Sequence, residues 1–200
     1  MRKKIILGIV ILAAIVGAVY FNINYAIVEE YYGTKLIVSI DVTEIKDKKY
    51  NLDESVKCTP SLRKLTKLEK LWLIAEENMD LSYLSEMKDL NELSIFYYMD
   101  NECKVKFGTL PDLPNLKKLW LCDLKYVGYQ THFTLPDDVE YNFDSIETLV
   151  ILGNQYFDID CLKHFKNLKT LEIDTPNLKL TEEQIEELRK NGINVEFHVQ

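Results

Sequence analysis

One six-residue frame, L-x-x-L-x-L, recurs along this chain and limits what it can fold into. It reads Leu68-Leu71-Leu73, Leu90-Leu93-Ile95, Leu116-Leu119-Leu121, Ile146-Leu149-Ile151 and Leu168-Leu171-Ile173. A degenerate copy, Val42-x-x-Ile45-x-Asp47, precedes them, and a last one lies within Ile193 to Val199. The middle residues of successive copies stand 22 to 30 positions apart. The closing L-x-L is the alternation of a short strand, whose two leucines share one face. No single copy can bury that face. Copies stacked side by side as parallel strands can, so the pattern predicts a row that is stable only as a row.

This frame resembles the leucine-rich repeat family, whose consensus continues L-x-x-L-x-L-x-x-N-x-L. The copy from Ile146 to Tyr156 matches through Asn154, with Tyr156 in the last leucine's place. Elsewhere Glu76, Tyr98, Leu124 and Pro176 stand where the asparagine would be. The resemblance covers residues 42–200 and implies an α/β solenoid. Short parallel strands would line its concave face, with helical or irregular returns behind them. In the family the asparagine bonds turn backbone, so its loss implies irregular or longer turns.

The segments between copies fit that plan. Leu81 to Leu90 and Ile159 to Leu168 carry apolar residues at helical spacing and suit return helices. Two longer inserts, Tyr97 to Asn115 and Lys125 to Ser145, hold Pro111, Pro114 and Pro136, which favour extended turns. At the C-terminal end, Thr181 with Gln184 three residues on predicts a capped helix. Ile185 and Leu188 would face the core, and Asn191-Gly192 would stop it. At the other end Thr34 to Ile45 reads as a strand or hairpin-like cap.

The first residues face a different solvent. Arg2, Lys3 and Lys4 precede an apolar or small-residue run from Ile5 to Phe21, 17 residues or roughly 25 Å of helix. With Glu29 and Glu30 on the far side, the cations predict a cytoplasmic N-terminus and a repeat domain outside. A secretory signal cleaved near Val16-Gly17-Ala18 is the alternative. The domain plan is therefore an anchor or signal segment at 1–28 and a juxtamembrane linker with cap strand at 29–41. Repeats occupy 42–180, and a cap helix and strand 181–200. Cys58, Cys103, Cys122 and Cys161 allow two disulfides or four buried thiols.

Both tryptophans, Trp72 and Trp120, sit in the same tetrapeptide, Lys-Leu-Trp-Leu. If its leucines point inward, the indoles point to the concave side, roughly 10 Å apart across Ser94. Ile74, Phe96, Val150 and Leu152 extend the same patch, with charged residues at either end (Lys46, Lys48, Glu172, Asp174) and along one side (Glu44, Lys70, Glu92, Lys118). Aromatic anchors within a polar rim suit a protein or peptide ligand. Two other readings stand: Tyr97, Tyr98, Phe107, Tyr126 and Tyr129 of the inserts cover the patch, or the chain self-associates through it.

Nothing in the residues spells catalysis. His132, His164 and His198 are scattered without a nucleophile at a recognised spacing, and Asp158 with Asp160 lacks a third ligand for calcium. No phosphate loop or hydrolase motif occurs. A net charge of −8 argues against nucleic acid. The expectation is a non-enzymatic binding module without cofactor or metal, displayed at a membrane. The alternative is a scaffolding component of the envelope that assembles with itself or a membrane protein.

Overall fold

The computed structural model describes residues 2–30, 35–39, 56–57, 63–75, 81–97, 110–123, 131–133, 141, 143–153, 155–157, 159–174 and 180–198. The Val42–Asp47 copy, Cys58, Cys103, Asp158 and the insert aromatics Tyr98, Phe107, Tyr126 and Tyr129 lie outside these residues.

In chain order the elements are α1 (Arg2–Asn24), β1 (Tyr25–Glu30), β2 (Lys35–Ser39), β3 (Val56–Lys57), β4 (Lys70–Ala75), β5 (Glu92–Tyr97) and β6 (Lys118–Asp123). Then come β7 (Thr131–Phe133), β8 (Thr148–Leu152), β9 (Gln155–Phe157), β10 (Thr170–Asp174), α2 (Glu182–Lys190) and β11 (Asn194–His198). One sheet runs β11-β10-β8-β6-β5-β4-β3-β1-β2, and β7 pairs with β9 in a second sheet. Six strands, β4, β5, β6, β8, β10 and β11, run parallel, and with the helices they make an α/β fold. The short β3 adds parallel to β4, while β1 and β2 close that edge as an antiparallel hairpin.

The register explains why the leucine frame recurs. Leu71, Leu93, Leu119, Leu149, Leu171 and Val195 are partners from strand to strand, and Leu73, Ile95, Leu121, Ile151, Ile173 and Phe197 form the next row. All are buried except Phe197, at the sheet edge, which is exposed. The buried frame also reaches one step further upstream than L-x-x-L-x-L. Leu65, Met87, Leu113, Phe143 and Phe165 each sit three residues before the first leucine and are buried. Each accepts at its carbonyl the N–H of that leucine or isoleucine, as in Leu68 to Leu65 at 3.1 Å and Ile146 to Phe143 at 3.0 Å. Such i to i−3 bonds and a three-residue apolar spacing are features of a 3₁₀ turn. For the same reason the expected return helices appear as 3₁₀ segments, Ser82–Glu86 and Ile159–His164, not as α-helices.

Consecutive turns are bonded to one another. The Glu69 carbonyl accepts the N–H groups of Asn91 and Glu92, and the Asn91 carbonyl those of Lys117 and Lys118. The Lys117 and Glu147 carbonyls repeat the arrangement with the two residues that open the next strand. Side chains do the same from the residue before the first leucine. Asn115 Nδ2 donates to the Lys88 carbonyl at 2.8 Å, Asn167 Nδ2 to that of Asp144 at 2.7 Å, and Ser145 Oγ to that of Leu113 at 2.9 Å. These side chains stitch neighbouring turns together just before the strand.

On the same edge Glu147 stands between Lys169 and Lys117, at 2.5 and 2.9 Å. Hydrogen bonds from Lys169 and then Lys117 hold its carboxyl well below the ordinary 4.5, at about 2. A depressed folded pKa contributes stability that is present above the unfolded value and lost as pH falls through the folded one. The melting temperature should therefore fall between about pH 4.5 and 2, more steeply in the wild type than in Glu147→Gln. Because the three side chains are solvent-accessible, salt should shrink the difference. Equal acid slopes in a thermal melt series would count against this triad.

The ends are closed differently. Thr181 Oγ1 accepts the Gln184 N–H at 3.2 Å and the Thr181 N–H donates to Gln184 Oε1 at 2.9 Å, so the expected capping box is present. Leu188 is buried and Gly192, at φ 83°, stops the helix in the left-handed region. At the N-terminal end the helix gives way to strand at Tyr25, and β1 supplies the partner of the cap strand β2. α1 has 23 residues, and its described side chains begin at Val10; Val10, Ile11, Leu12, Ile15, Val16 and Val19 are all exposed. That described part is roughly 22 Å long. Among the described residues, no helix is long and apolar enough to cross a membrane.

Candidate functional site

Alternation puts the leucines of β4, β5, β6 and β8 into the core and sends their neighbours to the opposite face. Three rows result. The first holds Lys70, Glu92, Lys118, Thr148, Thr170 and Asn194; the second Trp72, Ser94, Trp120, Val150, Glu172 and Glu196; the third Ile74, Phe96, Cys122 and Leu152. The register thus brings Trp72, Ile74, Ser94, Phe96, Trp120, Val150 and Leu152 onto one face.

They do not contribute equally. Trp72, Phe96, Trp120 and Leu152 are half-buried, whereas Ser94 is 3% and Val150 0% exposed. The short side chains of Ser94 and Val150 lie between longer ones on both flanking strands, so they form a floor and not a contact surface. Of Ile74 only the backbone is described, beside Phe96. The Trp72 and Phe96 rings meet edge-on, with centroids 6.2 Å apart and planes at 61°, the geometry that ring quadrupoles favour.

A charged lattice runs through the same face. Glu92 Oε1 accepts the Trp120 indole N–H at 2.8 Å, and Glu92 Oε2 lies 3.7 Å from Lys70 Nζ. Lys118 Nζ stands 4.4 Å from the centroid of the Trp120 ring and donates to Glu172 Oε1 at 2.8 Å. Lys118 is on β6 and Glu172 on β10, so the bond crosses β8 on the side where Val150 is buried. Glu172 Oε2 in turn meets His198 Nε2 at 3.0 Å. Burial pushes the Glu172 carboxyl up, but the hydrogen bonds and charges of Lys118 and His198 outweigh it and hold it below the ordinary carboxylate value. Trp120 is thereby fixed at its nitrogen by Glu92 and over its ring by Lys118.

Leucine counting recovers the aromatic members of this face but not its wiring. Glu92, Lys118 and Glu172 fall among the outward positions of the frame and Lys70 faces Glu92 within one row, but Lys118 reaches Glu172 diagonally, two strands away, which a row-by-row reading does not show. His198 enters only because β11 takes the last place in the sheet.

Chemistry elsewhere is sparse among the described residues. No three His, Cys, Asp or Glu side chains there are grouped to hold a metal ion. His164 is half-buried with its ring 4.9 Å from that of Tyr141, and of His132 only the backbone is described. Cys122 is a free, buried thiol that burial pushes up to about 12, so it packs as a small apolar residue. With Cys122 free, the four cysteines do not make two disulfides. The structure thus presents a sheet face on which two half-buried indoles stand among side chains of mixed charge. No protein-family model matches the chain, and no curated protein matches it.

Proposed function

We propose that this chain is a non-enzymatic recognition module of leucine-rich-repeat type, held at a membrane by its N-terminal helix, and that its ligand is a protein or peptide. The observation that carries the reading is the Trp72-Ser94-Trp120 row, where two half-buried indoles stand on every second strand of a rigid parallel sheet. Such a surface pre-pays the ordering of its aromatic side chains, which reduces the entropic cost of binding. The leucine-rich-repeat assignment rests on the parallel stacking of one apolar frame. The membrane reading rests on the 17-residue apolar run Ile5–Phe21 and on a helix whose described side chains from Val10 to Ile23 are exposed, with no charged face to turn to water.

The test is a peptide-display selection on the full chain in lipid nanodiscs, and then titration of the recovered ligands. Trp72→Ser and Trp120→Ser should each weaken binding by at least tenfold, as loss of an anchor residue does. Ligands that bind the double variant as tightly as the wild type would place the site elsewhere.

A further inference from the structure

The second outward row has a period of its own. Across β4, β5, β6, β8, β10 and β11 it reads Trp72, Ser94, Trp120, Val150, Glu172 and Glu196. From β4 to β10 the large or charged groups at Trp72, Trp120 and Glu172 fall on alternate strands, with the buried Ser94 and Val150 between them, and Glu196 on β11 follows Glu172 directly. Strands lie about 4.8 Å apart, so these groups repeat every ~9.6 Å. A polyproline II helix makes one turn in three residues of 3.1 Å, about 9.3 Å. An extended strand repeats its same-face side chains every ~6.8 Å. An α-helix repeats every ~5.4 Å and would need a contact at each strand, where Ser94 and Val150 offer no slot.

We propose that this face recognises a proline-rich segment in the polyproline II conformation, lying across the strands, with a cationic residue one turn beyond its second proline. The proposal rests on the reading of this face as a peptide-binding surface. Successive ridge prolines would pack on Trp72 and on Trp120. Aromatic grooves take such segments readily because the ligand is already ordered. Charge selects the residue beyond the prolines. Glu172 is shared by Lys118 and His198, but the neighbouring Glu196 is exposed and bonds only to Asn194 of its own strand, at 2.6 Å, among the described residues. That carboxylate lies three strand spacings from Trp120, roughly 14 Å. An arginine one polyproline turn past the second proline spans most of that distance with its backbone and the rest with its side chain.

The test is isothermal titration calorimetry on the full chain in nanodiscs. The probes are the capped peptide Pro-Pro-Ala-Pro-Pro-Ala-Arg, its reverse Arg-Ala-Pro-Pro-Ala-Pro-Pro, and both with every proline replaced by glycine. One of the two proline peptides should bind with a Kd on the order of tens of micromolar and its glycine counterpart at least tenfold more weakly. Trp72→Ala or Trp120→Ala should cost another tenfold or more. Glu196→Gln, at an exposed position, should weaken binding about threefold and reduce its salt dependence with the circular dichroism spectrum unchanged. Equal binding of the glycine peptides, or none of either proline peptide, overturns the proposal. If display-selected ligands without proline still need both indoles, the peptide-binding reading survives that failure. If selection also yields nothing that needs them, both fall.

Discussion

Phe143→Ala should lower the free energy of unfolding by about 3–5 kcal/mol, the usual range for removing a buried aromatic side chain. Phe143 is 2% exposed. Its ring stacks on Phe165 at 4.7 Å between centroids and on Tyr141 at 5.3 Å, so it ties the turn before β8 to the turn before β10. Truncation leaves a cavity that the bonded turns cannot close, because the Ile146 N–H is held at the Phe143 carbonyl and the Asn167 side chain at that of Asp144. Phe143→Leu keeps most of the volume and should cost much less. Chemical denaturation of the full chain in detergent measures both. A Phe143→Ala cost below about 1 kcal/mol would mean that these turns are not part of one cooperative unit.

Phe143 also shows where the sequence was legible and where it was not. The strand leucines announce themselves, because alternation has a period of two and the five copies from Leu68 to Ile173 obey it. The position upstream varies in type, Leu65, Met87, Leu113, Phe143 and Phe165, and a search for leucine passes over it. Its signal was the three-residue spacing to the next apolar residue, which a helical template absorbs. The same spacing converts the expected return helices into 3₁₀ turns. The capping box at Thr181 was readable because it is local: both partners lie within one turn. The hairpin of β1 with β2 was half readable. Lys35–Ser39 looks like a strand by itself, but Tyr25–Glu30 is a short apolar stretch just past Asn22 and Asn24 that reads equally as a weak continuation of the helix.

The face behaves likewise. Its indoles come from alternation alone, and the spacing of Trp72 and Trp120 needs only the strand order. The lattice of Glu92, Lys118, Glu172 and His198 depends on which strands become neighbours, since Lys118 bonds a residue 54 positions away. No local pattern records such a pair. The burial of Val150 has the same origin, for it lies on β8 between Trp120 and Glu172, the strands that the Lys118 bond connects.

Leu12→Arg is expected to have the second large effect. Leu12 lies near the middle of the Ile5–Phe21 run and is 62% exposed on α1. Arginine at the centre of a spanning helix costs about 2.5–3.5 kcal/mol on insertion scales, a shift of roughly a hundredfold in the inserted fraction. On the membrane reading, wild type should stay with the membrane pellet after carbonate extraction, and most Leu12→Arg protein should be released. Leu12→Val should behave as wild type. Intact mass of the membrane-bound protein separates an anchor from a signal, because an anchor keeps Met1. Arginine at 12 would harm a cleaved signal too, but there the wild-type mature protein would leave the pellet. Full retention of Leu12→Arg would mean that something other than this helix holds the chain at the membrane. The Lys64 Nζ to Asn22 carbonyl bond at 3.3 Å gives the same experiment a second use. It joins the end of the helix to the first described turn of the repeats, so removing Lys64 should leave insertion intact and only loosen how the repeats are held to the helix.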